Sequence, residues 1–232
     1  MMKTAEDFLS GQVLLIDKPL HWTSFQVVNK LRWGIRRAFN IKKIKVGHAG
    51  TLDPLATGLL VICTGKMTKQ IKTFQGLTKE YIGTLVLGST TPSYDLETEI
   101  DKTFPTEHIS NALVHETAKQ FLGEIEQFPP VFSAIKKDGK RMYKFARAGE
   151  EVDIEPRTVT ISEFEIIKSE DNRVDFRVVC SKGTYVRSLA HDFGKALNSG
   201  AYLSVLRRTK IGDFTVKNAI SPEAFTEQLP IN

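Results

Sequence analysis

Residues 45–60 read Lys45-Val46-Gly47-His48-Ala49-Gly50-Thr51-Leu52-Asp53-Pro54-Leu55-Ala56-Thr57-Gly58-Leu59-Leu60. Gly47, Gly50 and Gly58 allow the backbone to turn tightly or to approach another surface closely. Pro54 lacks an N–H and pushes Asp53 out of the α region into an extended or turn conformation. The apolar run that follows, Leu59-Leu60-Val61-Ile62-Cys63, predicts a buried strand. A polar loop thus presents one carboxylate beside a rigid element, an arrangement suited to holding a catalytic group.

The charges around Asp53 are one-sided. No other acid occurs between Asp17 and Glu80, whereas the same span carries Lys18, Lys30, Arg32, Arg36, Arg37, Lys42, Lys43, Lys45, Lys66, Lys69, Lys72 and Lys79. A lone acid in a basic field has its ionised form favoured, which suits a nucleophile or a charge stabiliser. The bland reading is an Asp-Pro turn in which Asp53 bonds the nearby backbone. Spacing alone leaves both open.

Working outward, residues 12–16 predict a buried strand ended by Asp17-Lys18-Pro19, with Asp17 as a turn residue. Thr23 or Ser24 caps a helix whose apolar side carries Phe25, Val28, Leu31, Ile35 and Phe39. Residues 66–74 predict a short basic helix, and 79–88 a strand with Tyr81, Leu85 and Leu87 on one face. Residues 88–101 are turn-rich and acidic, so they are expected to face solvent. An amphipathic helix is expected over 108–122, its core stripe being Ile109, Leu113, Ala118, Phe121 and Leu122. Asp138-Gly139 is a hairpin signal. Lys136, Lys137, Lys140, Arg141, Lys144 and Arg147 surround it, with Tyr143 and Phe145 between them, a pattern that fits RNA backbone contact with stacking. The alternative is an ordinary solvated face. Strands are expected at 158–161, 164–167 and 174–180, with a turn at Asp171-Asn172. Thr184 is expected to cap a helix through Gly194, within which His191 reads as structural. A strand carries Leu203, Val205 and Leu206, and Ser221 opens a short capped segment. Helices alternate with strands, and several strands follow one another late in the chain. The expected class is α+β, a mixed and largely antiparallel sheet flanked by helices.

Composition narrows the function classes. The 232 residues are 41% hydrophobic and 25% charged, with net charge +5, which permits a polyanionic partner. Cys63 and Cys180 form no CxxC and no zinc-ligand spacing, so both are expected as buried, reduced thiols in a cytoplasmic protein. The N-terminus lacks a signal-peptide pattern, and no apolar run has membrane-spanning length. No P-loop or dinucleotide fingerprint is present. No cofactor and no metal are expected.

Gly47-His48-Ala49-Gly50-Thr51-Leu52-Asp53-Pro54 with Ala56-Thr57-Gly58 resembles the catalytic motif of the bacterial tRNA pseudouridine-55 synthases, the TruB type. Asp17-Lys18-Pro19 with Thr23-Ser24 resembles that family's first motif, although the family usually has Gly where this chain has His21. Lys79-Glu80-Tyr81, the Pro-Pro-x-Phe-Ser-Ala-x-Lys run of 129–136, and residues 180–189 add further matches. The resemblance extends from about Val13 to about Arg208. It implies a pseudouridine synthase fold with a projecting hairpin at about 127–150 that grips RNA. One catalytic domain over 1–232 is expected, without the C-terminal accessory RNA-binding domain of many members.

The implied reaction isomerises uridine to pseudouridine in the T-loop of tRNA after base flipping. Asp53 would be the nucleophile or base that starts glycosidic cleavage. Tyr81 would stack on the base and Arg187 would pair with Asp53. His48 would fill space vacated in the T-loop, and Tyr185 and Leu206 would complete the pocket. Lys136, Lys137, Lys140 and Arg141 would hold the T-arm stem-loop. The expected form is a monomer with no membrane association. The competing readings are a non-catalytic RNA-binding or tRNA-folding protein, and a phosphate-binding enzyme using the glycine-rich loop.

Overall fold

The computed structural model describes residues 3–133, 136–137, 140–142, 145, 150 and 154–230. In chain order the elements are α1 (Ala5–Ser10), β1 (Val13–Lys18), α2 (Ser24–Ala38), β2 (Val46–His48), β3 (Ala56–Thr64), a 3₁₀ turn (Gly65–Gln70), α3 (Ile71–Gly76) and β4 (Lys79–Leu87). Then follow β5 (Ser89–Thr90), β6 (Lys102–Thr103), α4 (Asn111–Lys119), β7 (Gly123–Gln127), β8 (Lys136–Lys137), β9 (Lys140–Arg141), β10 (Arg157–Glu170) and β11 (Arg173–Cys180). The last are α5 (Val186–Ala196), β12 (Ala201–Ile211), β13 (Phe214–Thr215) and α6 (Pro222–Glu227). The chain divides into two compact units, residues 1–81 with 207–232, and residues 82–206, the divisions falling inside β4 and β12.

In the first unit β3 is the organising strand. Its residues from Gly58 to Thr64 are all buried, as a near-continuous apolar run dictates. It pairs antiparallel with β1, from Val13↔Cys63 to Lys18↔Gly58, and with β2 from Val46↔Thr64 to His48↔Ile62. Thr23 opens α2 with a reciprocal cap: its side chain accepts from Gln26 N–H while the Gln26 side chain accepts from Thr23 N–H. Val27, Val28, Leu31 and Ile35 then bury against Leu14, Ile16, Leu60 and Ile62, with Phe8 and Phe225 closing the cluster. Phe25 is not part of it and is 61% exposed. At about 100° per residue it lies roughly 120° round the helix from the centre of the buried stripe. Asp17 is not a turn residue. It lies within β1 and accepts two hydrogen bonds from Arg207, at 3.0 and 2.6 Å.

In the second unit the strand order is β12, β4, β11, β10, β7. The two strands expected over 158–167 are one strand, β10, bent by irregularities between Ile161 and Glu163 and between Ile166 and Lys168. Asp171 and Asn172, at φ 50° and 60°, make the tight β10–β11 turn. Phe164 meets Phe176 and Phe193 at ring distances of 5.8 and 5.6 Å. α4 is shorter than expected because Ser110 is its cap, and it buries Val114, Thr117 and Ala118 while Leu113 and Leu122 stay exposed. Thr184 does not cap α5: its hydroxyl donates back to the Ser181 carbonyl at 3.0 Å, and Tyr185 is the capping residue.

β8 and β9 pair as Lys136↔Arg141 and Lys137↔Lys140, as a two-residue hairpin requires. The Asp138-Gly139 turn, Tyr143, Lys144 and Arg147 lie outside the described residues. Helices flank the strands in both units, so the class is the α+β one expected, and the pairs β1/β3, β2/β3, β7/β10, β10/β11 and β12/β13 are antiparallel. Among the described residues no helix is long and apolar enough to cross a membrane.

Candidate active site

Asp53 sits half-buried between Leu52, which is buried, and Pro54, which is exposed. The loop around it is clamped from several directions within the first unit. Ser24 hydroxyl accepts from Leu52 N–H at 2.8 Å and donates to Leu52 C=O at 3.1 Å. Ala56 N–H donates to Asp53 C=O at 3.1 Å, and His21 N–H to Pro54 C=O at 2.8 Å. His21 adopts φ 65°, the left-handed region where glycine is at ease.

Two buried cations complete the frame. Lys18 has none of its surface exposed, and its Nζ donates to the carbonyls of Trp22 (2.6 Å), Pro19 (2.9 Å) and Pro54 (3.5 Å). Burial lowers its pKa to about 8, the charge of Arg208 adding to that and the charge of Asp53 opposing it. Arg208, 1% exposed, donates from Nε to Leu59 C=O at 2.8 Å and from Nη2 to Gly50 C=O at 3.1 Å. Gly58 makes this approach possible. At φ 103° it passes so close that a Cβ there would stand 2.3 Å from the Arg208 carbonyl oxygen. The field around the carboxylate is therefore as basic as its sequence neighbourhood, and part of it is desolvated.

His48 ends β2. Burial, then the Arg208 charge, hold it below the usual histidine range against a hydrogen bond with the Gly50 backbone, so it is a neutral ring at physiological pH. Tyr81, 8% exposed, lies on the same alternating face of β4 as Lys79. A hollow of about 310 Å³ in this unit is lined by Leu9, Lys43, Ile44, Lys45, Gly65, Lys66, Thr68 and Lys69. Four of its eight lining residues are lysines.

The second unit holds Tyr185, Arg187 and Leu206. Gln127, fully buried, grips the Tyr185 backbone twice, its Oε1 accepting from the N–H at 2.7 Å and its Nε2 donating to the C=O at 3.0 Å. The Arg157 guanidinium lies 5.4 Å from the Tyr185 ring centre. Leu206 is 9% exposed. Arg187, 4% exposed, donates from Nη1 to Ser93 C=O at 3.1 Å and from Nη2 to Phe132 C=O at 2.9 Å. Its Nη1 also stands 3.6 Å from Asp95 Oδ2.

Asp95 corrects the expectation that the acidic loop faces solvent. Glu97, Glu99 and Asp101 are exposed, but Asp95 is buried. The hydroxyls of Thr91 and Ser93 donate to its carbonyl at 2.7 and 3.1 Å, and Glu97 N–H donates to Oδ1 at 3.0 Å. The sequence signal was there: an acid set among Thr90, Thr91, Ser93 and Thr98 has hydroxyls available to satisfy a buried loop. Lys18 and Arg208, which hold the Asp53 loop in the first unit, and Gln127 and Asp95, which hold Tyr185 and Arg187 in the second, are not among the candidate residues that the sequence alone singles out. For Lys136, Lys137, Lys140 and Arg141 the structure gives the backbone pairing of β8 and β9. Among the described residues no group of three or more His, Cys, Asp or Glu side chains could hold a metal.

A protein called tRNA pseudouridine synthase B from Flavobacterium johnsoniae is 67% identical over 227 residues, covering 97% of this chain and 99% of that one. Its namesake from Phocaeicola vulgatus is 59% identical, covering 96% and 95%. Among solved structures, a chain of a Cbf5–Nop10–Gar1 complex matches 97% of this chain with TM-score 0.72 and 30% identity. A chain of an H/ACA RNP bound to a substrate RNA containing 2′-deoxyuridine matches 95%, with TM-score 0.67 and 28% identity. This chain spans about half of either, 56% and 53%. The profile described as TruB family pseudouridylate synthase (N terminal domain) matches residues 36–186, a span that holds the Asp53 loop, Tyr81 and the start of α5. A chain that carries this profile, and shares two residues in three with a near-full-length relative, belongs to the TruB family of pseudouridylate synthases.

Proposed function

We propose that this protein is a tRNA pseudouridine-55 synthase that converts one uridine in the T-loop to pseudouridine. The observation that carries the reading is the Asp53 loop: a single carboxylate framed by two buried cations, Lys18 and Arg208. The relatives named tRNA pseudouridine synthase B support the substrate class.

The reaction is an isomerisation. The C1′–N1 bond breaks, the uracil turns, C1′ bonds to C5, C5 loses its proton and N1 gains one. No electron or group donor enters. The base leaves its stack to be reached. Asp53 acts as the nucleophile or base that starts the cleavage. Arg187 keeps the Asp53 carboxylate ionised and oriented, as a guanidinium fork suits. Tyr81 stacks on the base and handles the C5 proton. Tyr185 and Leu206 line the base, and the neutral His48 ring fills the space the base leaves. Lys136, Lys137, Lys140 and Arg141 carry the phosphates of the T-arm stem-loop, the hairpin at about 127–150 being an insertion of one catalytic domain. The protein works as a monomer, without cofactor or metal, in the cytoplasm. The buried thiols of Cys63 and Cys180 suit a reducing compartment.

The deciding experiment incubates the protein with an unmodified tRNA T-arm in EDTA and maps pseudouridine by position. Asp53→Asn is then compared under single turnover. The expected outcome is product at one T-loop position with the wild type, none with the variant, and unchanged RNA affinity. Affinity without product in the wild type would instead make this a tRNA-binding or tRNA-folding protein.

A further inference from the structure

The geometry points to His191 as a positioning residue for Arg187, acting through the ring of Tyr94. This rests on the assignment of Arg187 to the reaction made above. Residues 187 and 191 are four apart on α5, so their side chains leave the same face of the helix. The 91–98 loop meets that face twice. It meets Arg187 through the Ser93 carbonyl at 3.1 Å and Asp95 Oδ2 at 3.6 Å. It meets His191 through Tyr94, whose ring lies parallel to the imidazole with centres 3.9 Å apart and planes 13° apart. Tyr94 is the residue between the two of this loop that meet the guanidinium.

Tyr94 is also held in an uncommon backbone state. Its φ is 64°, the left-handed region that a bulky residue rarely occupies. Its N–H donates to Thr91 C=O at 3.0 Å, and its C=O accepts from Leu203 N–H at 2.9 Å, so the turn is tied at the main chain. Such a conformation persists where its surroundings over-determine it. The stack supplies the constraint that the main chain does not, the rotamer in which the Tyr94 ring is held. Among the described residues His191 Nδ1 is buried without a hydrogen-bond partner, so that atom does not orient the ring. Burial first, and Lys195 next, lower the His191 pKa to about 4 against the pull of Asp101, which leaves a neutral flat ring at working pH. A neutral ring adds no charge beside the Arg187–Asp95 pair.

The test uses the full chain and three variants, assayed for single-turnover pseudouridine formation at saturating enzyme and, separately, for tRNA affinity. His191→Ala removes the stack. His191→Phe keeps a flat ring. Tyr94→Gly removes the other ring where glycine fits the backbone without strain. His191→Ala and Tyr94→Gly are each expected to slow the rate by about tenfold or more with affinity within about twofold, while His191→Phe stays within about threefold of wild type. Because both losses remove one contact, the double variant should be about as slow as either single one. A His191→Ala rate within about twofold of wild type, or a His191→Phe as slow as His191→Ala, would overturn the inference. So would singles whose effects multiply. A wild type that makes no pseudouridine would defeat the functional reading instead, which keeps the two failures apart.

Discussion

Lys18 shows at the scale of one residue how the Asp53 loop is held. A fully buried ammonium is costly unless its protons are used, and three carbonyls take them, including that of Pro54 directly after Asp53. With a folded pKa of about 8, below the ordinary lysine value of 10.5, the unfolded chain holds the proton more tightly than the folded one. Between those values the unfolded state therefore binds more protons, and the stability owed to this residue rises with pH. Below about pH 8 both states are protonated and the full cost of burying the charge is present. Lys18→Met should remove that rise, so the wild-type stability relative to the variant should grow as pH goes from about 8 toward 10. Urea titrations of both proteins at several pH values check it; parallel curves would place the Lys18 titration elsewhere. The variant should also lose most single-turnover activity, since the Pro54 carbonyl and the cation near Asp53 go together. The basic surroundings of Asp53 were legible in the sequence because its charge isolation is local. The burial of Lys18 was not, because it depends in part on a partner brought from elsewhere in the chain, Pro54, and for Asp95 the neighbouring hydroxyls were legible but its distant partner Arg187 was not.

Among the elements, the buried centre of β3, residues 59–63, was legible, since a run buried on both faces needs no alternation to be recognised, but the strand begins three residues earlier, at Ala56, and ends at Thr64. The amphipathic helices were read less well. A stripe chosen by apolar residues alone puts Phe25 in the core, whereas the cap at Thr23 fixes the phase and puts Val27 there. The bends in β10 were read as a break, because a bulge and a turn interrupt alternation alike. What sequence could not give is why Gly58 is glycine. Its φ of 103° and the Arg208 carbonyl 2.3 Å from a would-be Cβ are facts of packing. Gly58→Ala meets both costs, backbone strain and a clash with main chain that cannot swing aside, and should destabilise by roughly 2–5 kcal/mol. Gly76, at the end of α3 with nothing within 4 Å of its would-be Cβ, is the control. Gly76→Ala should be neutral or stabilise by up to about 1 kcal/mol. Urea midpoints at unchanged slope measure both, and a Gly58→Ala midpoint at the wild-type value would show that β3 and the Arg208 strand separate more freely than their contact implies.

For the whole molecule, the net charge of +5 matters less than where the charges lie. In the first unit Lys43, Lys45, Lys66 and Lys69 line one hollow, and among the described residues no carboxylate pairs with any of them. In the second unit Lys136 and Lys137 face Lys140 and Arg141 across a two-residue hairpin. Like charges kept close together repel, so such a cluster gains when a polyanion replaces its condensed counterions. If both clusters touch tRNA phosphates, each contact releases counterions, and affinity falls with salt by about 0.7–0.9 in log–log slope per phosphate. Lys66→Ala with Lys69→Ala should flatten the slope by roughly 1.4–1.8, as should Lys136→Ala with Lys137→Ala. All four together should flatten it by the sum, because separate phosphate contacts add. None of these variants should move the modified position, since phosphate contacts set register and affinity without reading a base. If only the hairpin pair changes the slope, the hollow is a solvated face, and the tRNA is held by the second unit's cluster and the loops around the flipped base.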